Sequence, residues 1–506
     1  MSMRRATTPL TIGEACLPVI VMAGLFGAGA AWFGFDGALL VIVLLVSAAA
    51  AGFVAVRHGA TWDQIQDSAG AKVKDVLPVL LILLAVGGLI AAWVLSGTIP
   101  YLVYWGVRLV SPQFIVLTAF IATSIMSTCT GTSWGSAGTI GVALMGTAAA
   151  LGAPLPATAG AVISGAYLGD KMSPLSDSTN ICAIGAGADL YRHIRHMMYT
   201  SGPSFVLCLI VYTATGLLVA EPSTGGMPAS AQALLRDFDA VFTLNWLALI
   251  PVAIVIWGIV TKVPPALAIA ASCVVAAGMG VVVQGFTMQD AMAAVVSGFR
   301  VPMVAGTGAD PASLGDAFRV LAERGGLYSM ATTLVVVIAA FLLAAAMDVS
   351  GALDLLVRRL LGSVRSTFGL IAATMTAGAT MVGMTSHGGV TGLVIGNLFR
   401  GAYAERGFAP ENLSRSLEDS VTITEPLMPW TVSAVYMATT VGVPTVAYLP
   451  WAVFCYGGPI FSLLIAATYD RLGIGMLRGS YLFSTDPQGS VPGLPGASAP
   501  GSPGTQ

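Results

Sequence analysis

Apolar runs of about 20 residues recur along this chain and constrain its fold more than any other feature. About 20 such residues are needed to cross a bilayer as a helix. Only 9% of the 506 residues are charged, against roughly a quarter in soluble domains, so lipid must solvate much of the surface. We predict an all-α polytopic membrane protein. The candidate spans are Cys16–Gly34, Ala38–Val56, Val76–Leu95, Pro203–Val219, Leu244–Val260, Ala266–Val283, Met330–Met347 and Tyr448–Ala467.

Four further apolar stretches are interrupted by Gly, Ser, Thr and Pro: Gln113–Leu151, Leu155–Ala186, Phe368–Tyr403 and Asp419–Val441. Each adjacent pair is too long for one crossing and too interrupted for two ordinary ones. Irregular backbone at bilayer depth is tolerated only where protein or water replaces lipid. We therefore expect re-entrant hairpins and discontinuous helices, with about ten spanning helices and two hairpins in all.

Charge and cysteine usage exclude several kinds of partner. The net charge of −2 argues against a nucleic-acid partner, which requires a basic face. The six cysteines show no CxxC spacing, so disulfides and structural zinc are not expected. The basic residues Arg4, Arg5, Arg57, Lys72 and Lys74 favour a cytoplasmic N-terminus.

Short matches relate the two halves of the chain. Thr132–Gly135 matches Thr385–Gly388, and Ser173–Leu175 matches Glu425–Leu427 at nearly the same offset along the chain. Duplicated halves imply a substrate site near the midplane, between paired broken helices. An odd number of crossings in each half would invert one repeat relative to the other.

The predicted organisation has four parts. Residues 1–220 form the first repeat, with a hairpin tip near 127–136 and a broken helix at 169–180. Residues 221–243 form a connecting loop, and residues 244–470 form the second repeat, with a tip near 383–392 and a broken helix at 418–430. Residues 471–506 form a C-terminal tail, which is largely disordered because it is rich in Pro, Gly and Ser.

The first broken segment concentrates hard oxygen ligands. Asp170, Lys171 and Asp177 lie close together in the sequence, although one charge at the bilayer centre costs roughly 2.5–3.5 kcal/mol. Pro174 removes a backbone donor and breaks the helix. Freed carbonyls, hydroxyls and carboxylates suit a dehydrated sodium ion. Alternatively, this segment is a solvated loop between helices, and the hydroxyls of the hairpin tip near 127–136 bond back to their own helix. The predicted cation ligands are Asp170, Ser173, Asp177, Asn180, Ser127, Thr130 and Thr132, of which Asp170 and Asp177 are the sodium carboxylates.

The second broken segment differs in its polar groups. Glu425 is expected at bilayer depth, where a carboxyl group can exchange protons near neutral pH. His387 also titrates in this range, although a lone histidine is as often structural. The predicted proton-coupling or substrate residues are Glu425, His387, Thr385, Ser386, Thr424 and Trp430.

Other charged residues have simpler interpretations. Glu418 and Asp419 could pair with Arg415 at a helix start. His193 and His196 lie among charged residues that read as a loop. The chain has no nucleotide-binding P-loop and no visible nucleophile–base pair. We therefore expect a transporter driven by ion gradients, not an enzyme, with no cofactor other than the transported sodium.

The motifs resemble those of the NhaC family of sodium/proton antiporters. The resemblance rests on Gly131–Gly141, on Gly165–Asn180 with its Gly-Asp-Lys-Met-Ser-Pro-Leu-Ser-Asp core, and on Asn412–Ser420 followed by Pro-Leu-Met-Pro-Trp. It covers roughly residues 10–470. The family commonly has Ser where Glu425 stands, and an acidic residue near the tip that here contains His387.

This resemblance implies a scaffold domain, an elevator-type transport domain and a homodimer in the inner membrane of a bacterium. The leading hypothesis is sodium/proton antiport, in which the two ions compete for midplane carboxylates. The alternative is a sodium- or proton-coupled carrier of a small carboxylate such as malate or lactate, since malate/lactate exchangers belong to the family. In that alternative, His387, Thr385 and helix N-termini would bind the organic anion.

Overall fold

The computed structural model describes residues 10–33, 37–219, 228–362, 364–386 and 388–479. Within these ranges the regular structure is helical, apart from one isolated bridge between Phe408 and Arg478. Eight of the described helices are long and apolar enough to cross a membrane, or up to 11 spans are present if each bent pair counts as one. The prediction of an all-α, multi-pass membrane protein is confirmed.

The first half contains a helical hairpin that is followed by a broken helix. Its helices are α1 (Ile12–Phe33), α2 (Gly37–Arg57), α3 (Trp62–Leu95), α4 (Thr98–Leu109), α5 (Ile115–Thr130), α6 (Ser133–Ser136), α7 (Val142–Ala150), α8 (Leu155–Met172), α9 (Asp177–Ala186) and α10 (Leu190–Val219). A π-helical stretch, Ala137–Gly141, joins α6 to α7. The hairpin is therefore formed by α5 and by the continuous helical arm that starts at Ser133.

The second half has a comparable order of elements. Its helices are α11 (Ala229–Val241), α12 (Ile250–Val260), α13 (Pro265–Val282), α14 (Met288–Ser297), α15 (Asp316–Ala322), α16 (Ala331–Ser350), α17 (Ala352–Gly362), α18 (Thr367–Thr385), α19 (Gly388–Glu405), α20 (Pro410–Leu417), α21 (Val432–Val441), α22 (Thr445–Tyr448) and α23 (Val453–Leu472). A π-helical stretch, Glu418–Thr422, extends α20. Here α18 and α19 form the hairpin.

Helix boundaries in the two halves recur at one constant spacing along the chain. The first hairpin arms end at Thr130 in α5 and at Thr385 in α18. Helices α9 and α21 have the same length. They are followed by Gly187 and Gly442, which are separated by the same spacing and both adopt a left-handed backbone conformation. Glycine favours this conformation because it lacks a Cβ.

This constant spacing changes the residue that corresponds to Glu425. The sequence match placed Glu425 opposite Ser173, but the spacing that relates Thr130 to Thr385 places it opposite Asp170. Pro174 and Pro429 then also correspond. The sequence match aligned the Pro-Leu dipeptide that both segments contain. In the second half, however, the counterpart of Pro174 is the later proline, Pro429, and the helix that follows it begins at the corresponding position.

Two regions depart from the predicted organisation. Part of the expected connecting loop, 221–243, is the helix α11, whose Leu234 and Phe238 are buried against α4 and α15. The beginning of the expected disordered tail is also held in place. The side chain of Asn412 donates to the carbonyl of Leu477 (2.7 Å) and accepts from its N–H (3.0 Å). Residues 480–506 lie outside the described residues.

One of the contacts between the two halves is the packing of α9 against α19. A Cβ at Gly396 would lie 2.5 Å from the carbonyl carbon of Gly185, closer than real side chains approach. The absence of a side chain at Gly396 thus lets these helices touch through their backbones.

We predict that Gly396→Ala destabilises the protein, because overpacking a close helix contact costs about 1–3 kcal/mol. Gly401→Ala is the matched control: it lies in the same helix with no atom within 4 Å of the added Cβ, and alanine is the better helix former. Thermal unfolding of the detergent-purified protein should show a lower Tm for Gly396→Ala alone. Equal Tm values for the two variants would contradict the close contact.

Candidate functional site

The first broken helix is closed by its own side chains. Helix α8 ends at Met172 and α9 begins at Asp177. Thr179 donates its hydroxyl to the carbonyls of Asp170 (3.2 Å) and Lys171 (3.1 Å). Asn180 donates its amide to the carbonyls of Pro174 (3.1 Å) and Ser176 (2.7 Å). Since backbone acceptors freed by a break must be satisfied inside a bilayer, these two residues stabilise the break.

Asp170 faces the tip of the first hairpin. The hydroxyl of Ser133, the first residue of α6, donates to Asp170 Oδ2 at 2.9 Å. The backbone N–H of Ser133 and the hydroxyl of Ser176, which caps α9, also interact with this carboxylate. Asp170 is only 8% exposed. A buried carboxylate therefore lies between the starts of two helical segments, where their dipoles favour negative charge.

Glu425 occupies the corresponding place in the second half. Its carboxylate lies against the hydroxyl and backbone N–H of Ser433, in the first turn of α21, and against the backbone N–H of Gly388, where α19 begins. The hydroxyl of Thr431 donates to the carbonyl of Glu425 at 2.6 Å and so closes this second break. Each half thus presents one buried carboxylate to a hairpin tip.

One cavity of about 950 Å³ brings the two halves of the site together. The sequence predicted a cation site in one half and a proton-coupled site in the other, but residues of both line this cavity. Lys262, in the turn between α12 and α13, also lines it. The predicted residues on its wall are Asp170, Asp177, Asn180, Thr130, Thr132, Ser386 and Glu425.

The other predicted residues of the first half hold the backbone together. Ser127 donates to the carbonyl of Ala166 at 2.5 Å and joins the hairpin to α8. Ser173 accepts from the N–H of Leu175 at 3.3 Å. Neither residue lines the cavity.

The same applies to three predicted residues of the second half. Thr385 bonds to Thr391 (2.9 Å), Thr424 donates to the carbonyl of Ser420 (2.5 Å), and the indole of Trp430 donates to the carbonyl of Gly383 (2.7 Å). They tie the hairpin arms and the broken helix together. His387 lies outside the described residues.

A buried ion pair joins the two broken segments. Lys171 Nζ donates to Asp419 Oδ1 and to the hydroxyl of Thr200 (3.3 Å), and both charged side chains are completely buried. The expected pairing of Asp419 with Arg415 is therefore wrong. The sequence showed a lysine in the first motif, but nothing local identified its partner in the other half of the chain.

Arg415 instead belongs to a second polar cluster with the two histidines of α10. Its guanidinium donates to the carbonyl of Gly475 (2.5 Å) and contacts His196 Nε2 (3.1 Å), while His193 Nδ1 bonds the hydroxyl of Ser414 (2.7 Å). All four side chains are buried. The interpretation of His193 and His196 as loop residues is thus also wrong, because α10 already begins at Leu190.

Comparison with known proteins is decisive about the family. The chain matches the Na+/H+ antiporter family over residues 6–189 and 165–468. The chain belongs to this family. It is 43% identical over 474 residues to an uncharacterized Na+/H+ antiporter of Haemophilus influenzae, covering 94% of this chain and 98% of that one. The resemblance inferred from the motifs is confirmed.

Two other relatives of this antiporter family carry different names. The Na+/H+ antiporter NhaC of Alkalihalophilus pseudofirmus is 33% identical over 453 residues, which is 86% of this chain and 90% of that one. The malate-2H+/Na+-lactate antiporter of Bacillus subtilis is 31% identical over 415 residues, 81% of this chain and 85% of that one.

We predict that Asp419→Asn strongly destabilises the protein, because it leaves the Lys171 ammonium buried without a counter-charge. Breaking a buried ion pair in this way costs about 3–5 kcal/mol. The double variant Lys171→Met/Asp419→Leu removes both charges and should regain much of the lost stability. Thermal unfolding in detergent measures the coupling. A double variant whose loss of stability equals the summed losses of Lys171→Met and Asp419→Leu would contradict a direct ion pair.

Proposed function

We propose that this protein is a secondary active sodium/proton antiporter in which both ions compete for the carboxylate of Asp170. The observation that supports this most is the setting of Asp170: buried, bonded to the tip hydroxyl of Ser133, and on the wall of the large cavity. A carboxylate with an adjacent hydroxyl supplies the hard oxygen atoms that sodium prefers. The other candidate ligands on this wall are Asp177, Thr130 and Thr132.

Competition explains how one site couples the two ions. Sodium binds only the deprotonated carboxylate, and a proton neutralises the same oxygen atoms. Either ion would let the site cross the membrane, because each removes a charge that is costly in lipid. Asp177 is exposed on the cavity wall at the start of α9, so we assign it to attracting and positioning sodium. Glu425 adds a second carboxylate to the same cavity.

We further propose alternating access between two inverted repeats, with an elevator-type movement of the hairpins and broken helices against a scaffold. The constant spacing between equivalent helix boundaries supports the duplication. Helices α2, α3, α13 and α16 pack against one another, and the hairpins and broken helices form a second set of contacts, α5 with α8 and α9 with α19. This division supports a scaffold and a separate transport domain. The bacterial relatives support a bacterial plasma membrane. We place the antiporter there as a homodimer, with its N-terminus in the cytoplasm.

The alternative cargo, a small organic anion, has weaker support. One relative is named as a malate/lactate carrier. However, the cavity wall carries the carboxylates of Asp170, Asp177 and Glu425 against the single ammonium of Lys262 among its described residues. Like charges repel, so this wall favours cations over malate or lactate.

The test is sodium-driven proton movement in inside-out vesicles, followed with a pH-sensitive dye and without any organic solute. Asp170→Asn should abolish exchange, because the amide can neither release a proton nor neutralise sodium. Asp177→Asn should raise the KM for sodium and retain turnover. Undiminished exchange by Asp170→Asn would refute the assignment of the competing carboxylate.

The same assay tests competition through its pH dependence. In the native protein the KM for sodium should rise as pH falls, by up to about tenfold per pH unit, because protons occupy the carboxylate that sodium needs. The maximal rate at saturating sodium should change less. A KM for sodium that is independent of pH would show that the two ions bind different groups.

A further inference from the structure

The carboxylate of Glu425 is lodged between the first turns of two helices. Gly388 starts the 18-residue helix α19, and Ser433 is the second residue of the ten-residue helix α21. The backbone N–H groups of both residues and the Ser433 hydroxyl lie near this carboxylate and favour its charged form. Free N–H groups and the helix dipole make such ends binding sites for anions. The second half thus contains an anion site that the chain fills with its own side chain.

The residues that correspond to Gly388 and Glu425 in the first half are different. The spacing that relates Thr130 to Thr385 makes Ser133 and Asp170, which are bonded to each other, the counterparts of Gly388 and Glu425. In the second half the serine is replaced by glycine and the aspartate by the longer glutamate. A Cβ at Gly388 would lie 3.0 Å from Glu425 Oε2. Glu425 therefore extends into the space that a tip side chain occupies in the first half.

Another polar group on the wall of the same cavity has no partner among the described residues. Ser386 is 2% exposed and lines the cavity, and its hydroxyl has no hydrogen-bond partner within the described part of the chain. Its backbone is left-handed, with φ of 53°, which costs a non-glycine residue roughly 1–2 kcal/mol. Ser386 is the C-cap of α18, and its backbone N–H donates to the carbonyl of Val382. The cap therefore does not use the side-chain hydroxyl. The hydroxyl is therefore free to donate to a ligand at this tip.

We infer that Glu425 is a tethered substitute for the carboxylate of a small organic anion, and that it occupies a site where a free monocarboxylate would otherwise bind. The effect of this arrangement on transport rests on the proposed function: in a sodium/proton antiporter, the carboxylate of Glu425 would keep organic anions out of the cavity and restrict it to sodium and protons. Removal of the side chain should leave a vacant site for a carboxylate of one or two carbon atoms. Two helix N-termini, the Ser433 hydroxyl and the Ser386 hydroxyl would then bind it.

Binding is tested on the purified protein by thermal unfolding with sodium acetate or formate. In Glu425→Ala, either anion should raise the Tm by several degrees, because a ligand that binds only the folded state stabilises it. In the native protein and in Glu425→Gln, which keeps the site filled with an isosteric side chain, acetate should act no differently from sodium chloride. Acetamide, which has the shape of acetate without its charge, should not stabilise Glu425→Ala.

A Tm shift by acetate that is equal in Glu425→Ala and Glu425→Gln would overturn the inference, and so would no shift in either. If Glu425→Ala does not fold, Glu425→Ser serves in the same comparison, because it also removes the carboxylate and leaves a vacancy.

Flux measurements separate this inference from the proposed function. Loss of the Glu425 carboxylate from the shared cavity should lower sodium/proton exchange in proteoliposomes of both variants. Added formate or acetate should then raise exchange at least severalfold in Glu425→Ala and leave it unchanged in Glu425→Gln. Equal responses of the two variants would contradict the tethered-carboxylate role. Absence of exchange in the native protein would refute the antiport proposal, and the Tm comparison would then still decide whether Glu425 occupies an anion site.

Discussion

The structure depends on the cost of interrupting a helix inside a membrane. Each break exposes backbone groups that lipid cannot satisfy, and each charge at that depth must be paired or functional. Side chains adjacent to the breaks meet the first demand: Thr179 and Asn180 bond the carbonyls freed in the first half, and Thr431 bonds that of Glu425. The Lys171–Asp419 pair meets the second demand and fastens the two broken segments to each other.

This arrangement leaves two carboxylates for chemistry. Asp170 and Glu425 are not neutralised by a basic side chain among the ion pairs of the described residues. Both carboxylate groups instead face the starts of neighbouring helical segments, where backbone dipoles favour negative charge without removing it. Such a setting allows the charge to be cancelled reversibly by a proton or by sodium, which an antiporter needs. A permanent lysine partner, as Asp419 has, would prevent that exchange.

Local chemistry made much of the fold predictable from sequence. Apolar length identified the spans, and Pro174 and Pro429 marked the breaks. The residues on the cavity wall were harder to separate from their neighbours, because a serine that binds an ion and a serine that bonds its own backbone look alike in sequence. Ser127 proved to bond the carbonyl of Ala166 in α8, and Thr385 the hydroxyl of Thr391 in α19.

Long-range pairing could not be predicted. Lys171 meets Asp419 only because α8 and the extended α20 are brought together by the packing of α10 and α23. The correct counterpart of Glu425 also required helix boundaries, since the strongest local match pointed to Ser173 instead of Asp170. Residues 229–241 were interpreted as a polar loop, but they form an amphipathic helix, α11. Its apolar side packs against α4 and α15, which are distant in the sequence.

The central claim is that one carboxylate, Asp170, holds either sodium or a proton. It is tested most directly by calorimetric titration of sodium into the purified protein in buffers of different ionisation enthalpy, which reports protons released on binding. The native protein should release protons as sodium binds, and Asp170→Asn should neither bind sodium with comparable affinity nor release protons. Sodium binding without proton release, or proton release that persists in Asp170→Asn, would contradict the account.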